Sequence, residues 1–408
     1  MKYPIWIFLL LSTQVMAQPL TLDKCYQLSA QNYPLIKQLS LISKSGAYSV
    51  ENAAKGYLPQ LTFSGQATYQ SDVVHFPLPG LPELSKDQYK VQAEITQTIY
   101  DGGTIKYQKE LEKANTATQQ QQLDVNMYAV RERVSQLFFG ILLTNEQLQQ
   151  NDLRKTDIES GIHKMQGAVD NGTALRSSLD ELKAELLNTE QLRTQLVTTR
   201  KGYMQMLALF INQPVTELVK PSAIPVAVEI KRPELQLYNQ QKQTFGIREK
   251  QLRVNYLPKI TAFAQGGYGR PTFNIIDNSF GFYGIGGIRF SWALNSLYTL
   301  RNNRQLLRIN RQEVDVQQET FLFNTRLTLT RQQIDAQQYD DMITQDRQII
   351  NLRTSVKNAA VAQLENGVIT SHDYISQVNA ENLARQNLAL HEIQLLQVQY
   401  NSKNTSGN

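Results

Sequence analysis

The residues able to make or break bonds in this chain are few and scattered. Four histidines, His75, His163, His372 and His391, lie far apart. Two have an acidic neighbour, in His372-Asp373 and His391-Glu392, but neither has the spacing of a metal-ligand pair. Cys25 is the single cysteine, with no histidine near it in sequence, so neither an activated thiolate nor an intrachain disulfide is expected. Leu22-Asp23-Lys24 before it lacks the small apolar residues of a lipidation site. The chain has no Gly-Lys-Ser/Thr phosphate loop and no Gly-x-Ser-x-Gly elbow. We therefore expect no catalytic residue, no metal and no cofactor. The remaining chemistry is electrostatic. Asp170 precedes the turn Asn171-Gly172-Thr173, and Glu365 precedes Asn366-Gly367-Val368. Asp373 stands where an anion would favour the dipole of a helix starting near residue 372.

Four segments that could carry charge into a pore alternate with period two. Leu61, Phe63, Gly65, Ala67 and Tyr69 share one face of 60–69, with Gln60, Thr62, Ser64, Gln66 and Thr68 on the other. In 89–96, Tyr89, Val91, Ala93 and Ile95 oppose Lys90, Gln92, Glu94 and Thr96. The segments 260–268 and 282–294 alternate likewise, with Arg289 on the polar side of the latter. Period two over this length predicts strands with one apolar side, at about 58–70, 89–100, 257–269 and 282–294. Such strands suit either a soluble sandwich or a membrane barrel, whose strands need about 9–11 residues. Tyr69, Tyr89, Tyr100, Tyr268 and Trp292 lie near strand ends, as rim aromatics do. The long loops 71–88 and 269–281, rich in Pro, Asn and Gly, favour the barrel, in which Lys90, Glu94 and Arg289 would face the lumen.

Long helices must hold these strands. No proline interrupts 104–170, which predicts roughly 100 Å of helix. Met127, Val130, Val134, Leu137 and Ile141 form a heptad seam, which Ile158, Ile162, Met165 and Val169 resume. Residues 297–364 read as a matching helix, with shorter partners at about 174–212 and 371–401. The Asn-Gly pairs join long helix to short, because both residues accept the positive φ of a helix end.

The chain also repeats itself. YLPQLTFSGQATY at 57–69 returns as YLPKITAFAQGGY at 256–268, an offset of 199 residues, and the Asn-Gly turns recur at an offset of 195. Two structurally similar halves follow, at 18–212 and 234–401. The proline-rich stretch 213–233 reads as a connector, and 402–408 as a polar, disordered tail. Residues 1–17 read as a secretory signal peptide: Lys2, an apolar run, then Val15-Met16-Ala17. No other run is long and apolar enough for a membrane helix. The net charge is +5 over 408 residues, with no basic stripe, which argues against nucleic acid as a partner.

Four strands cannot close a barrel, and open sheet edges are not tolerated in lipid. If the strands span a membrane, several copies must share one barrel.

In its order of features the chain resembles the TolC family of outer-membrane efflux ducts: LTLDKCYQLSAQNYP, a YLPQL segment entering a strand, QTIYDGG opening the long helix, and paired Asn-Gly turns in a duplicated chain. The likeness covers the whole mature chain. It implies an α+β, mostly α fold: a homotrimer with a shared twelve-stranded barrel in the outer membrane of a Gram-negative bacterium and a twelve-helix periplasmic tube. It also implies a passive exit duct without catalytic activity. Its partners would be outer-membrane lipid, a periplasmic adaptor (a membrane fusion protein), and an inner-membrane pump of RND, ABC or MFS type. By the same resemblance Asn171, Gly172, Thr173, Asn366, Gly367 and Val368 are the adaptor contacts. Asp373, six residues after Gly367, matches the family's first gate aspartate; Glu365 and Asp170 are further gate candidates. Ser376 stands where the second gate aspartate is expected, and Ser178 departs in the first half, so an acidic ring here would be weaker. A periplasmic adaptor is the alternative, but it normally carries one helical hairpin where this chain has two. A secreted α+β enzyme would need the constellations that are missing.

Overall fold

The computed structural model describes residues 19–74, 84–274 and 276–408. The expected signal peptide, His75 and the middle of loop 71–88 lie outside them. Two repeats are evident in the order of elements. After α1 (Leu22–Asn32), the first comprises α2 (Gln38–Ala54), β1 (Gln60–Tyr69), β2 (Asp87–Tyr100), α3 (Thr104–Asp170) and α4 (Arg176–Ile211). The second comprises α5 (Pro233–Val254), β3 (Lys259–Arg270), β4 (Gly281–Ser291), α6 (Leu297–Glu365) and α7 (Ser371–Ser406). The chain divides into two compact units, and α3 and α6 contribute residues to both.

One unit, made of 37–125 and 233–321, holds the sheet. Its strands form one antiparallel meander in the order β1-β2-β3-β4. The strands lie within two or three residues of the positions expected from their alternation. Where β2 becomes α3, Asp101 accepts hydrogen bonds from the backbone N–H of Gly103 (2.8 Å) and of Ile105 (2.7 Å). Gly102 and Gly103 both take positive φ there, and a Cβ on Gly102 would stand 2.8 Å from Leu257. The Asp-Gly-Gly sequence thus ends a strand and caps a helix in one turn. Helix α2 lies on α3 at Gly46, where any Cβ would meet the Thr116 side chain at 2.3 Å. Helix α5, which alternation and heptads had not singled out, lies between α3 and α6. Gln251 Nε2 donates to Gln108 Oε1 (2.6 Å), and Lys242 Nζ lies 3.0 Å from Asp315 Oδ1. Pro233 opens α5 instead of closing the connector, as suits a residue whose missing N–H costs nothing at a first helical position.

The other unit, made of the described residues up to 36, 126–232 and 322–408, holds two helical hairpins, α3–α4 and α6–α7. The expected seam is its core: Val134 and Ile158 are fully buried, and Val130 and Ile141 nearly so. One cluster gathers Leu22, Cys25, Phe138, Phe139, Leu207 and Ile393. Burial pushes the Cys25 thiol up to about 12, so this cysteine is an inert core residue. A second cluster joins all four helices beside their turns, through Ile158, Leu182, Leu364, Tyr374 and Val378 among others.

The expected disordered tail is a correction. Helix α7 runs on to Ser406, and Ser402, Asn404 and Ser406 are buried. Asn404 Nδ2 donates to Tyr26 Oη (2.9 Å) and Ser135 Oγ (3.2 Å), and Lys231 N–H to Ser406 O (2.5 Å). The tail is polar because its partners are polar, and they come from distant parts of the chain.

Candidate functional site

The strand register places most apolar residues of the four strands on one face, with Phe263 and Ile285 the large exceptions on the other. Leu61 faces Ile95 across the ladder, Ile95 faces Ala264, and Ala264 faces Gly286; Phe63, Ala93, Gly266 and Gly284 form the next row. This face is bare. Phe63 is 74% exposed, Val91 65%, Ile288 72% and Phe282 88%. A water-facing sheet would bury such residues under a second layer, so this one lacks the solvent or partner it is built for. The strands are 10, 14, 12 and 11 residues long, enough to cross a hydrocarbon core with tilt. Strands β1 and β4 are the two edges of the sheet.

The opposite face is polar and internally tied. Glu94 and Arg289 pair at 3.3 Å, and the Arg289 guanidinium lies 4.6 Å from the Phe263 ring centre. Tyr283 Oη donates to Gln92 Oε1 (3.0 Å), which also accepts from Gln265 Nε2. Lys90 stands on this same face, opposite Gln66. The three charges expected in a lumen therefore share one side of the sheet, and two of them neutralise each other.

At the C-terminal ends of α3 and α6 the two Asn-Gly turns are built alike. The N–H of Thr173 reaches Ala168 O (2.8 Å) and that of Gly172 reaches Val169 O (3.0 Å); Val368 and Gly367 bond to Gln363 O (2.8 Å) and Leu364 O (3.1 Å) in the same way. Asn171 and Asn366 each donate from Nδ2 to the carbonyl four residues back, at 2.8 Å. These are Schellman closures, and they require the positive φ found at Gly172 (+74°) and Gly367 (+70°). Val368 is 70% exposed at its turn.

The three candidate gate carboxylates are all engaged. Asp373 closes a capping box: the Thr370 hydroxyl accepts from the Asp373 N–H, and Asp373 Oδ2 accepts from the Thr370 N–H (3.1 Å). Hydrogen bonds from the Thr370 side chain and backbone hold its carboxyl below the usual range. The N-cap is thus Thr370, with Asp373 at the third helical position. Glu365 pairs with Lys164 (2.5 Å), and Asp170 accepts from Gln166 (2.8 Å).

A denser set of ties, not foreseen from sequence, binds the hairpins together behind the turns. Lys357 on α6 lies 2.9 Å from Asp157 on α3 and 2.7 Å from Glu381 on α7. Glu381 also accepts from Thr354 (2.6 Å) and Arg385 (2.8 Å), and its side chain is only 3% exposed. Burial pushes its carboxyl upward, but the bonds from Lys357, Thr354 and Arg385 outweigh this and hold it at about 2. Tyr374 Oη donates to Asp157 O (2.7 Å), and Ser371 Oγ to Glu181 Oε2 (2.7 Å). Similar distance from an Asn-Gly turn was the available signal, because antiparallel helices bring such residues level. His391 and Asp346 pair at 2.6 Å, and His372 faces Glu181 at 3.2 Å. Among the described residues no group of three His, Cys, Asp or Glu could hold a metal, and no helix is long and apolar enough to cross a membrane.

Comparison with known proteins adds three findings. Residues 25–208 match the family model described as outer membrane efflux protein. The fold of nearly the whole chain is similar to that of VceC, an outer membrane protein of Vibrio cholerae: TM-score 0.70, 12% identity, 95% of this chain and 96% of that one. It is also similar to the CmeC outer membrane channel of Campylobacter jejuni (TM-score 0.65, 14% identity, 95% and 85% covered) and to the MtrE outer membrane channel of Neisseria gonorrhoeae, solved in its open state (0.65, 13%, 95% and 89%). No curated protein matches the chain.

Proposed function

We infer that this chain, whose first repeat matches the outer membrane efflux protein model and whose fold is similar to that of outer membrane channels, is a passive exit duct in the outer membrane of a Gram-negative bacterium. The bare apolar face of a sheet with two open edges carries this reading. Lipid is the one environment in which that face needs no covering layer, and there the edges must be paired. Two copies of a four-stranded sheet would give eight strands, an interior that side chains fill. Three give twelve, the smallest closed barrel of this type with an open lumen. The need for a passage excludes the pair and supports the trimer that the resemblance implies. The polar face, with Lys90, Glu94, Arg289 and the Gln92–Gln265–Tyr283 cluster, lines that passage.

The hairpins continue the duct through the periplasm, and their turns are its far end. Asn171, Gly172, Thr173, Asn366, Gly367 and Val368 meet a periplasmic adaptor, which couples the duct to an energised inner-membrane transporter of RND, ABC or MFS type. The exposed Val368 and the two rigid closures suit a partner that reads backbone shape. Asp373, with Glu365 and Asp170 near it, sets the charge at the end of the passage, and three copies of each would form acidic rings that favour cations. The periplasmic-adaptor reading gains no support from the family match or the fold. Density-gradient separation of the two membranes tests the duct directly. The protein is expected in the outer-membrane fraction, forming conducting pores in planar bilayers; a soluble or inner-membrane protein would refute the reading.

A further inference from the structure

The polar face of the sheet carries three large side chains that a water-filled passage does not call for. From Gln60 to Thr98, β1 and β2 present there only amides, hydroxyls, Lys90 and Glu94. Strands β3 and β4 add Phe263, Tyr283 and Ile285 to the same face. Ile285 is 46% exposed. Two glycines make room for the rings. Gly267 stands opposite Tyr283, and a Cβ there would lie 2.6 Å from the tyrosine ring; Gly287 stands opposite Phe263, where the same distance would be 3.3 Å. Each ring therefore lies across its glycine instead of standing up into the lumen.

Both rings are also held in place. Tyr283 Oη donates to Gln92 Oε1 (3.0 Å), and the Arg289 guanidinium covers Phe263 at 4.6 Å from its ring centre. Phe273, from the loop between β3 and β4, meets Tyr283 edge-on, with ring centres 5.0 Å apart and planes at 77°, and is itself 58% exposed. Phe273, Tyr283, Ile285 and Phe263 thus form one apolar strip. It starts at the loop end of the sheet, opposite the end that joins the helices, and follows the edge strand β4 toward Arg289. From Tyr283 to the level of Phe263, at Gly287, it spans four residues, or roughly 14 Å. A ring over a glycine steadies a strand pair, but that purpose needs neither Ile285 between the rings nor Phe273 beyond them. Apolar surface kept exposed in a polar surrounding is surface for contact.

We propose that this strip is a contact track for solutes with a planar aromatic body, which rest a ring on Ile285 and against the fixed rings of Phe263 and Tyr283 while their polar groups stay in water beside Gln92 and Gln265. Rings held in one orientation favour an aromatic partner over an aliphatic one of equal size. The track rests on the duct reading above and names a class of solute for it. Its test is current inhibition of the purified oligomer in planar bilayers, with the blocker added on the loop side. Benzyltrimethylammonium is the aromatic probe, and tetraethylammonium, with the same charge and no ring, is the comparison. In the unaltered protein the aromatic cation should reduce the current at a concentration about threefold or more below that of tetraethylammonium. Ile285→Ser, which disturbs neither glycine contact, and Tyr283→Ser should lose this preference, while Tyr283→Phe, and Gln66→Ser on β1, should keep it. Equal inhibition by the two cations in the unaltered protein, or a preference that survives both serine variants, would overturn the track and leave the duct standing. A conductance that rises in the serine variants with the preference unchanged would assign the strip to contact between copies and overturn the track as well. Absence of any conductance would overturn both the track and the duct.

Discussion

Removing the Lys357 ammonium should loosen the turn-side ends of the hairpins more than any surface charge change. Lys357 is 14% exposed and sits between Asp157 and Glu381, whose own side chain is 3% exposed. Deleting one partner of a buried ion pair costs about 3–5 kcal/mol, because the other charge stays behind without compensation. Thr354 and Arg385 still reach Glu381, so the lower end, about 3 kcal/mol, is the expected loss for Lys357→Met. At about 1.4 kcal/mol per tenfold, amide exchange through opening of residues 371–385 should accelerate roughly a hundredfold. Adding Glu381→Gln removes the stranded charge, so the double variant should exchange more slowly than Lys357→Met alone. The pH dependence has a defined sign. A carboxyl held at about 2 contributes stability that is complete above its ordinary value near 4.5 and is lost as pH falls toward 2. Hydrogen–deuterium exchange with mass spectrometry, on the detergent-solubilised oligomer, reads all three. Less than threefold acceleration in Lys357→Met, or a double variant that opens faster than the single, would refute the reasoning.

Gly367→Val places a β-branched residue at φ +70° and should cost about 1–3 kcal/mol locally; an unchanged exchange profile at residues 366–372 would refute the Schellman closure as the constraint. Phe63→Arg, on the bare sheet face, should cost about 2–4 kcal/mol of barrel stability if the residue sits near mid-membrane, and deplete the protein from the outer membrane; wild-type levels there would count against a lipid-facing Phe63. Asp373→Asn should raise anion conductance in planar bilayers, and an unchanged current–voltage curve would remove this residue from the gate.

Much of the fold was readable because its signals are local and periodic. Alternation located β1 to β4 to within a few residues, and the heptads from Val130 to Met165 mark side chains that are buried or, at Leu137 and Ile162, half-buried. Other features depend on partners distant in sequence. The end of α7 looked disordered because Asn404 and Ser406 are polar, and their partners Tyr26, Ser135 and Lys231 lie 378, 269 and 175 residues away. Helix α5 has little apolar period, because only Leu237 and Val254 are buried apolar side chains on it and Gln251, Lys242 and Thr244 make polar contacts. At the hairpin ends the sequence placed Asp373 at the start of a helix near 372, and the structure has it close a capping box at the third position of α7, with Thr370 as the N-cap. The ion-paired ties at Lys357 and Glu381 are brought together by antiparallel pairing, and no motif marks them.

The face the sheet presents to its surroundings can be measured residue by residue. Single cysteines at positions 286–291 of β4, labelled with an environment-sensitive fluorophore and exposed to lipid-borne quenchers in reconstituted membranes, should alternate. Quenching is expected at 286, 288 and 290, and protection at 287, 289 and 291, where the polar side faces water. Uniform exposure to water along β4, or quenching without a period of two, would contradict a sheet that lies against acyl chains.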